Sequence, residues 1–366
     1  MKRHLTLVAA LTFLLPLRSS SQERKAWDLL RELVMIPGVS GYEGRAADYI
    51  QGKLPAGLEV RRDGMHNVWF TAGSGSPHLL FVAHSDELGW VVSEVTAEGR
   101  LKVKPGGGLF PQVVEARPVL VHTAAGPVPG VVAPRKGYHE RPQEGGRPPG
   151  FSARDIEVVL GVSTEAEARA LGVAEGDPVT PKKVLADLTP GVTATRAVDD
   201  RAGCAALLDA ALRVDWKSLK GRTATFAWDV QEETGLFGAA ELAKAMKPDY
   251  VFAVDTFVST DSPLESRRLA FLPLGRGAII RAVDSSNITP KAEIRKVMEL
   301  ARRHRIPVQT ANSRGGNDGS VFVPGGSVDI PLSWPGAYAH SLVEKVDRRD
   351  LEALADLIVA IVEDWK

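Results

Sequence analysis

Apolar runs alternate with segments whose apolar residues recur at helical spacing along most of the chain. The runs predict buried strands, and the periodic segments predict amphipathic helices. The predicted strands include residues 78–83, 223–228, 250–254 and 328–333, and the predicted helices include 23–36, 200–213, 236–246, 290–304, 348–365 and one that follows the cap at 40–43. Alternating strands and helices are typical of an α/β fold, in which helices cover both faces of a mostly parallel sheet.

A different pattern occupies residues 91–180. Short β-rich segments such as 118–122 are separated there by glycine- and proline-rich turns, and helical spacing is scarce. We therefore expect residues 22–90 and 181–366 to form one α/β domain, into which residues 91–180 are inserted as a small β domain. Residues 134–150 are rich in proline, glycine and arginine, and this composition predicts a mobile loop.

The N-terminus has the order of a secretory signal peptide. Basic residues at 1–4 precede an almost wholly apolar run at 5–17, and small polar residues follow at 18–22. The apolar run is too short to span a bilayer comfortably. We expect residues 1–21 to be a signal peptide and the mature chain to be exported to the periplasm or the extracellular space. An uncleaved anchor is the alternative.

The composition of the chain argues against some classes of function. Of the 366 residues, 44% are hydrophobic and 25% are charged, which is ordinary for a globular protein, and the formal net charge is zero. A chain without excess positive charge lacks the electrostatic footprint of a nucleic-acid or polybasic membrane protein. Cys204 is the only cysteine, so an intramolecular disulfide is impossible, and its apolar helical setting predicts a small core residue.

Candidate chemical groups end or flank the apolar runs. They are two histidines, His84 and His340, and the carboxylates Asp86, Asp199, Asp200, Glu232, Glu233 and Asp255. Each has an ordinary explanation when taken singly, such as a core histidine, a helix N-cap or a solvated turn. Ligands in α/β sheets collect outside the carboxyl ends of strands, so we expect these side chains to meet at one edge of the sheet.

Two imidazoles and three carboxylates, one of them able to bridge, are a ligand set for a pair of divalent cations. Such a set suits zinc, with cobalt or manganese as alternatives. We expect Asp199 to bridge, His84 and Asp255 to complete one metal site, and Glu233 and His340 to complete the other.

Two of the three carboxylates outside this ligand set have an expected role. Asp86 is placed to orient the ring of His84, and Glu232 stays free of metal as a general base that deprotonates a bridging water.

Six motifs carry a family resemblance, and they occur in the family's order. They are Ala83-His84-Ser85-Asp86-Glu87-Leu88-Gly89, Val198-Asp199-Asp200-Arg201, Val230-Gln231-Glu232-Glu233-Thr234-Gly235, Ala253-Val254-Asp255, Gly315-Gly316-Asn317-Asp318 and Tyr338-Ala339-His340-Ser341. In these motifs the chain resembles the tetrahedral-type dinuclear metallo-aminopeptidases, which include glutamyl and lysyl aminopeptidases and proteins labelled cellulase M. The resemblance extends from about residue 27 to residue 365 and includes the insert.

The resemblance implies a phosphorylase/hydrolase-like, three-layer α/β catalytic domain with a PDZ-like β insert that drives oligomerisation. It implies the same five metal ligands and the same base, peptide substrates with a free N-terminus, and a homo-oligomer between a dimer and a dodecamer. Asn317, Asp318 and Tyr338 are candidate substrate contacts. Asn317 and Ala337 depart from the family, which usually has threonine and arginine there, so substrate preference is not carried over.

Other functions remain open at this stage. A carboxypeptidase or an N-acyl-amino-acid deacylase of related fold would share the metal ligands and differ in the end of the substrate that it binds. A catalytically inactive binding protein is a further alternative. A glycosidase is not indicated, because that reaction uses two opposed carboxylates without metal.

Overall fold

The computed structural model describes residues 25–135, 152–217, 219–259 and 272–365. The expected signal peptide, and the expected loop from residue 136 to its end, lie outside these residues. The helices are α1 (Lys25–Leu33), α2 (Gly44–Lys53), α3 (Glu165–Ala170), α4 (Val198–Arg213), α5 (Phe237–Ala245), α6 (Lys291–His304) and α7 (Arg348–Asp364). Every described helix is too short or too polar to cross a membrane.

The strands fall into a large sheet, a barrel and a small sheet. In chain order they are β1 (Val60–Arg62), β2 (Val68–Ser74), β3 (His78–His84), β4 (Gly89–Val95), β5 (Arg100–Gly106), β6 (Pro118–Thr123), β7 (Gly126–Val132), β8 (Glu157–Val159), β9 (Pro178–Pro181), β10 (Ala186–Thr189), β11 (Val192–Thr195), β12 (Arg222–Asp229), β13 (Tyr250–Val258), β14 (Ala278–Val283), β15 (Val308–Asn312), β16 (Val328–Asp329), β17 (Leu332–Gly336) and β18 (Glu344–Asp347). The small sheet has the order β10-β11-β18.

The large sheet has the order β1-β2-β12-β3-β13-β17-β14-β15, with β16 paired to β13. Its centre is parallel, from β12 through β3 and β13 to β17, whereas β2 and β14 join that centre antiparallel. The sheet is therefore mixed rather than almost wholly parallel. The predicted strand at 328–333 is divided into β16 and β17. β14 was not predicted, because Arg281 interrupts its apolar run.

Helices cover both faces of this sheet, which explains the continuous apolar run of β3. Leu79 and Phe81 face the core that contains α1, α4 and α7, whereas Leu80 and Val82 face the core beneath α5. Side chains alternate between the faces of a strand, so a strand covered on both sides needs apolar residues at every position. Full burial of a side chain such as Phe81 contributes about 1.5–3 kcal/mol. Cys204 is fully buried in the first of these cores.

The segment between β3 and β10 forms a closed barrel in the order β4-β5-β8-β7-β6-β9. The barrel has its own core, which includes Trp90, Leu101, Val121 and Val158. The inserted β domain is thus a separate packing unit. The prediction of an α/β domain that carries a small β insert is confirmed.

Candidate metal centre

The site residues predicted from strand ends lie together at one edge of the large sheet. β12, β3, β13 and β17 are neighbouring parallel strands, so their carboxyl ends meet there. His84 is the last residue of β3. Glu232 and Glu233 follow β12, and His340 follows β17. Asp255 comes directly after the last residue of β13 that pairs with β3, so it reaches the same edge.

Asp199 lies between the two histidines. It stands at the start of α4, where its φ of −77° and ψ of 113° are not helical. Its Oδ1 is 3.4 Å from Nε2 of His84, and its Oδ2 is 3.8 Å from Nε2 of His340. Each carboxylate oxygen therefore faces a different imidazole, which is the arrangement that lets one carboxylate bridge two cations.

One further carboxylate stands beside each histidine. Oδ1 of Asp255 is 4.0 Å from Nε2 of His84, and Oε2 of Glu233 is 3.7 Å from Nε2 of His340. Together with the shared aspartate, the side chains form two groups of one histidine and two carboxylates. Oε2 of Glu232 is also 4.0 Å from Nε2 of His84, so this glutamate stands beside the first group.

Two properties of these side chains fit divalent metal ions: the distances between their ligand atoms, and buried oxygens that lack a hydrogen-bond partner. Two ligand atoms at ~2.0–2.2 Å from a tetrahedral zinc ion are ~3.4 Å apart. The ligand atoms of His84, Asp199 and Glu233 lie within 4.8 Å of one another. Among the described residues, Oδ1 of Asp199 and Oε1 of Glu233 are buried and have no hydrogen-bond donor. Buried acceptors of this kind need a partner, and a cation would supply it.

The crowding of carboxylates makes the site strongly attractive to positive charge. Burial, and then the negative charge of carboxylates such as Asp318, raises the pKa of Glu232 well above its usual value. Burial and Asp199 raise the pKa of Glu233 in the same way. Burial would lower the pKa of His84, but its carboxylate neighbours, led by Asp199, raise that pKa well above the usual range. A divalent cation would relieve this repulsion.

Asp86 lies on the other side of the His84 ring. Its Oδ1 is 3.3 Å from Nδ1 of His84, and its Oδ2 accepts a hydrogen bond from Oγ of Ser40 at 2.6 Å. A carboxylate in this position fixes the ring and leaves Nε2 free as the ligand atom.

Two residues that the sequence analysis did not single out support the ligands. Nη2 of Arg281 is 2.9 Å from Oδ2 of Asp255, which leaves Oδ1 to face the histidine. Oε2 of Glu344 accepts hydrogen bonds from the backbone N–H groups of Val198 at 2.6 Å and Asp199 at 2.9 Å. Burial and the charge of Asp199 raise the pKa of Glu344 to about 8. The one signal for Arg281 in the sequence is that it is a charged residue inside an apolar run. Nothing in the sequence indicates what Glu344 does.

Asp200 also lies near the ligands but is engaged elsewhere. Its carboxylate belongs to a group with Asp199 and Asp255 whose ligand atoms lie within 4.8 Å of one another. However, its Oδ1 accepts hydrogen bonds from the N–H of Gly203 and from Nε1 of Trp334, both at 3.1 Å. Asp200 therefore ties α4 to β17 beneath the site.

The barrel also reaches the site. The carbonyl oxygen of Gly108 is 3.3 Å from Nδ1 of His340, so the Nδ1–H tautomer would present Nε2 to the carboxylates. The backbone N–H of Phe110 donates to the carbonyl oxygen of His340 at 3.4 Å. At Gly107 the φ is +95°, and a Cβ there would lie 3.1 Å from Cβ of Glu233. Only a glycine allows this approach.

A cavity of about 490 Å³ opens over the ligands. Its walls include Phe110, Thr256, Val258, Arg281, Ser313, Arg314, Gly315, Gly316 and Ala339. The predicted substrate contacts Asn317, Asp318 and Tyr338 are not among the residues that line it. Asn317 and Asp318 are 0% and 1% exposed. Oδ1 of Asn317 accepts a hydrogen bond from the N–H of Gly319 at 2.8 Å, because this side chain caps the following turn.

Tyr338 lies beside Lys345, whose Nζ is 5.7 Å from the centre of the tyrosine ring. The cavity wall near Asn317 is instead formed by the residues just before it, from Ser313 to Gly316. The sequence analysis missed these residues, because a short glycine-containing loop gives no signal about which of its positions faces a cavity.

Comparisons with known proteins agree with this arrangement. The lysyl aminopeptidase of Pyrococcus furiosus is 30% identical over 356 residues, which cover 93% of this chain and 97% of the relative. The glutamyl aminopeptidase of Lactococcus lactis is 27% identical over 322 residues, covering 86% of this chain and 89% of the relative. The solved TET1 peptidase of Pyrococcus horikoshii superposes with a TM-score of 0.84 at 34% identity, covering 92% of this chain and 99% of that structure.

A family model described as M42 glutamyl aminopeptidase matches residues 66–357, which include every predicted metal ligand. The motifs, the fold and the clustered histidines and carboxylates all agree with this match. The chain belongs to the M42 glutamyl aminopeptidase family.

Proposed function

We propose that this metal-dependent aminopeptidase holds two divalent cations and removes N-terminal residues from peptides with Glu232 as general base. One observation carries the proposal. The two oxygens of Asp199 face Nε2 of His84 and Nε2 of His340 at 3.4 and 3.8 Å, so a single carboxylate joins two ligand groups.

His84, Asp199 and Asp255 would hold one cation, and Asp199, Glu233 and His340 the other. When bound, a pair of such ions polarises the scissile carbonyl and makes water acidic enough to be deprotonated near neutral pH. Zinc suits the nitrogen and oxygen donors, and cobalt and manganese are the alternatives.

Glu232 has the position and the basicity of a proton carrier. Its carboxylate stands beside the ligand groups, 4.0 Å from Nε2 of His84, and lines the cavity. Its carboxylate is largely buried, and burial by itself raises the pKa of a glutamate. In the reaction, Glu232 takes a proton from the attacking water and gives it to the leaving amine, so the glutamate is regenerated in each cycle.

The free N-terminus of a peptide also suits this site. A substrate α-ammonium group carries a positive charge, and the cavity is lined by Asp199, Glu232, Glu233 and Asp255. An acylated N-terminus has no such charge and is bulkier. We therefore assign the substrate as a peptide with a free amino end.

The Glu232→Gln variant tests the role of the base. Amide and carboxylate have nearly the same shape, so the variant should retain its metal, while kcat for an aminoacyl substrate falls by ~10²–10⁴-fold. Metal content is measured by elemental analysis and kcat with a chromogenic substrate. Glu241→Gln is the matched control, since Glu241 pairs with Lys244 at 2.6 Å on the next helix. A metallated Glu232→Gln protein with wild-type kcat would contradict the assignment.

The same assay separates the aminopeptidase from its rivals. A peptide with a free N-terminus should be cleaved, and its N-acetylated form should not. Faster cleavage of the acetylated form would favour the deacylase alternative. Cleavage from the other end, detected by mass spectrometry of the products, would favour a carboxypeptidase.

Assembly and location belong to the proposal as well. The TET1 peptidase of Pyrococcus horikoshii is described as assembling into a tetrahedron or a large octahedral shell. Because this chain is similar to it, we assign a homo-oligomer, which light scattering coupled to size-exclusion chromatography would detect. The basic, apolar and polar order of residues 1–22 supports export through a signal peptide. N-terminal sequencing of the secreted or periplasmic protein would show whether those residues are removed.

A further inference from the structure

The segment from Ser40 to Glu43 packs against the loop that carries the predicted base. In sequence terms this segment is a helix cap, and Glu43 does occupy the N-cap position of α2. Its side chain, however, makes no capping hydrogen bond to that helix. The carboxylate is completely buried and points elsewhere.

Glu43 binds the second residue of the loop after β12. Its Oε1 accepts hydrogen bonds from the backbone N–H of Gly41 at 2.7 Å and from that of Gln231 at 3.1 Å. Gln231 has a φ of 56°, which is in the left-handed region and uncommon for a residue with a side chain. A hydrogen bond from this N–H to a fixed carboxylate helps to hold the uncommon conformation.

Asp86 continues the same contact along the loop. Its Oδ1 accepts from the N–H of Glu232 at 3.1 Å, and its Oδ2 accepts from the N–H of Glu233 at 3.2 Å. Three consecutive backbone N–H groups, at 231, 232 and 233, are therefore bound by two buried carboxylates. Ser40 donates to Asp86, so the 40–43 segment contacts this loop both directly and through the aspartate.

The loop carries two side chains whose orientation the proposed reaction requires, Glu232 and Glu233. Glu232 must reach the attacking water, and Glu233 must reach its metal, while the backbone between them is a single peptide unit. A rotation of the peptide at Gln231 would therefore move the base relative to the ligand. Reaction rates are sensitive to such shifts, and a misplacement of 1 Å can cost ~10²-fold.

We propose that Glu43 is a positioning residue for the hydrolytic reaction, which aims Glu232 by holding the backbone N–H of Gln231. This inference rests on the proposed role of Glu232 as the base. Glu43 is not among the residues that line the cavity over the candidate ligands, and its Oε1 accepts from backbone N–H groups. It acts by accepting a hydrogen bond, and an amide oxygen can accept the same bond.

The test compares three variants of the full-length, metal-loaded protein. Glu43→Gln retains an acceptor of the same length and should keep kcat within about threefold of wild type. Glu43→Leu fills the space without an acceptor and should lower kcat by ~10–100-fold, with KM within about twofold and metal content unchanged. Glu43→Asp shortens the side chain by one methylene and should behave like Glu43→Leu, which keeps the test valid if the leucine variant fails to fold.

Asp350 supplies the matched control. It is another completely buried carboxylate, and it accepts hydrogen bonds from the backbone N–H groups of Gly275 and Gly277, both at 2.6 Å. It anchors a different loop, so Asp350→Asn and Asp350→Leu should change the melting temperature and leave kcat unaltered. A purely structural role for Glu43 would give this same pattern.

Hydrogen-exchange mass spectrometry gives a readout that does not depend on activity. Exchange of residues 228–236 should be faster in Glu43→Leu and unaltered in Glu43→Gln and in the Asp350 variants. Wild-type kcat in a folded Glu43→Leu protein, or equal losses in the Gln and Leu variants, would overturn the proposal. If Glu232→Gln were active but exchange at 228–236 still rose in Glu43→Leu, only the proposed base would be wrong.

Discussion

At the scale of single residues, the direction of each carboxylate oxygen decides what it can bind. Asp255 shows this clearly, since Arg281 binds one of its oxygens and the other faces His84. Burial raises the pKa of Asp255, and the guanidinium of Arg281 opposes that rise. Arg281 also donates from Nε to Oγ of Ser333 at 2.7 Å and from Nη1 to the carbonyl oxygen of Gly316 at 2.8 Å.

Arg281→Met should therefore weaken one metal site and the fold together. Removing one partner of a buried ion pair typically costs ~3–5 kcal/mol of unfolding free energy, because a buried charge is left uncompensated. With the two proposed ions bound, we expect metal content after dialysis to fall from two ions towards one per chain, as measured by elemental analysis. Arg302→Met, which removes an exposed arginine paired with Glu299 at 2.7 Å, is the control and should retain both ions. Full retention of both ions by Arg281→Met would refute the role assigned to Arg281.

The sequence was sufficient to group residues that lie at the ends of predicted strands and helices. His84, Asp199 and Glu233 stand next to apolar runs, and the rule that ligands gather at strand ends was enough to group them. Arg281 and Glu344 could not be grouped in this way, because their roles depend on contacts between segments far apart in sequence. The assignment of Ser40 and Glu43 to a helix cap was incomplete for the same reason.

At the scale of elements, a buried cluster of charges ties the barrel to the large sheet. Glu87 lies between β3 and β4, and its Oε2 is 2.8 Å both from Nζ of Lys183 after β9 and from Nη1 of Arg196 after β11. Burial would raise the pKa of Glu87, but Lys183, Arg196 and Arg201 lower it to about 2. Burial and the two arginines lower the pKa of Lys183 to about 8. The three cations thus favour the ionised form of Glu87. The two arginines also repel the charged form of Lys183.

The pH dependence of stability should report this cluster. The ordinary pKa of a glutamate is near 4.5 and that of folded Glu87 is about 2, a difference worth about 3 kcal/mol. A lowered carboxyl pKa adds stability that is complete above pH 4.5 and disappears as the pH falls towards 2. Glu87→Gln should therefore be less stable than wild type at pH 7, and the difference between the two unfolding curves should shrink between pH 4.5 and 2.

Glu175 provides the comparison for this measurement. Its hydrogen bond with Arg169 lowers its pKa to about 2 as well, but the pair is exposed and screened by solvent. Glu175→Gln should leave unfolding in denaturant almost unchanged at either pH. Equal effects of the two substitutions on unfolding would show that burial of Glu87 does not cause the loss of stability in Glu87→Gln.

Helices and strands were predicted well where periodicity is strong, and loops were not. α4, α6 and α7 and the central strands follow from their apolar patterns. Gln231, Tyr338 and His340 have φ angles of 56°, 70° and 61°, in the left-handed region. No local sequence signal favours that conformation for such residues, so tertiary contacts must impose it. The loops that aim the site are therefore the part that sequence patterns predict least.

At the scale of the whole molecule, the metal centre concentrates negative charge where four strands, a helix and the barrel meet. Divalent cations should therefore stabilise the entire protein. A ligand that binds only the folded state at 100 times its Kd adds ~2.7 kcal/mol. We expect the melting temperature to rise when zinc is added to chelator-treated protein, as followed by calorimetry. The His84→Ala/His340→Ala double variant should lose this rise, and an equal rise in the double variant would place the zinc elsewhere.

The contact of Gly108 with His340 has a consequence for how the two domains work. One imidazole is steadied by a backbone oxygen that belongs to the inserted module, so an outward swing of that module would loosen a ligand as well as widen the entrance. The placement of the insert and the placement of His340 therefore depend on each other through this one contact.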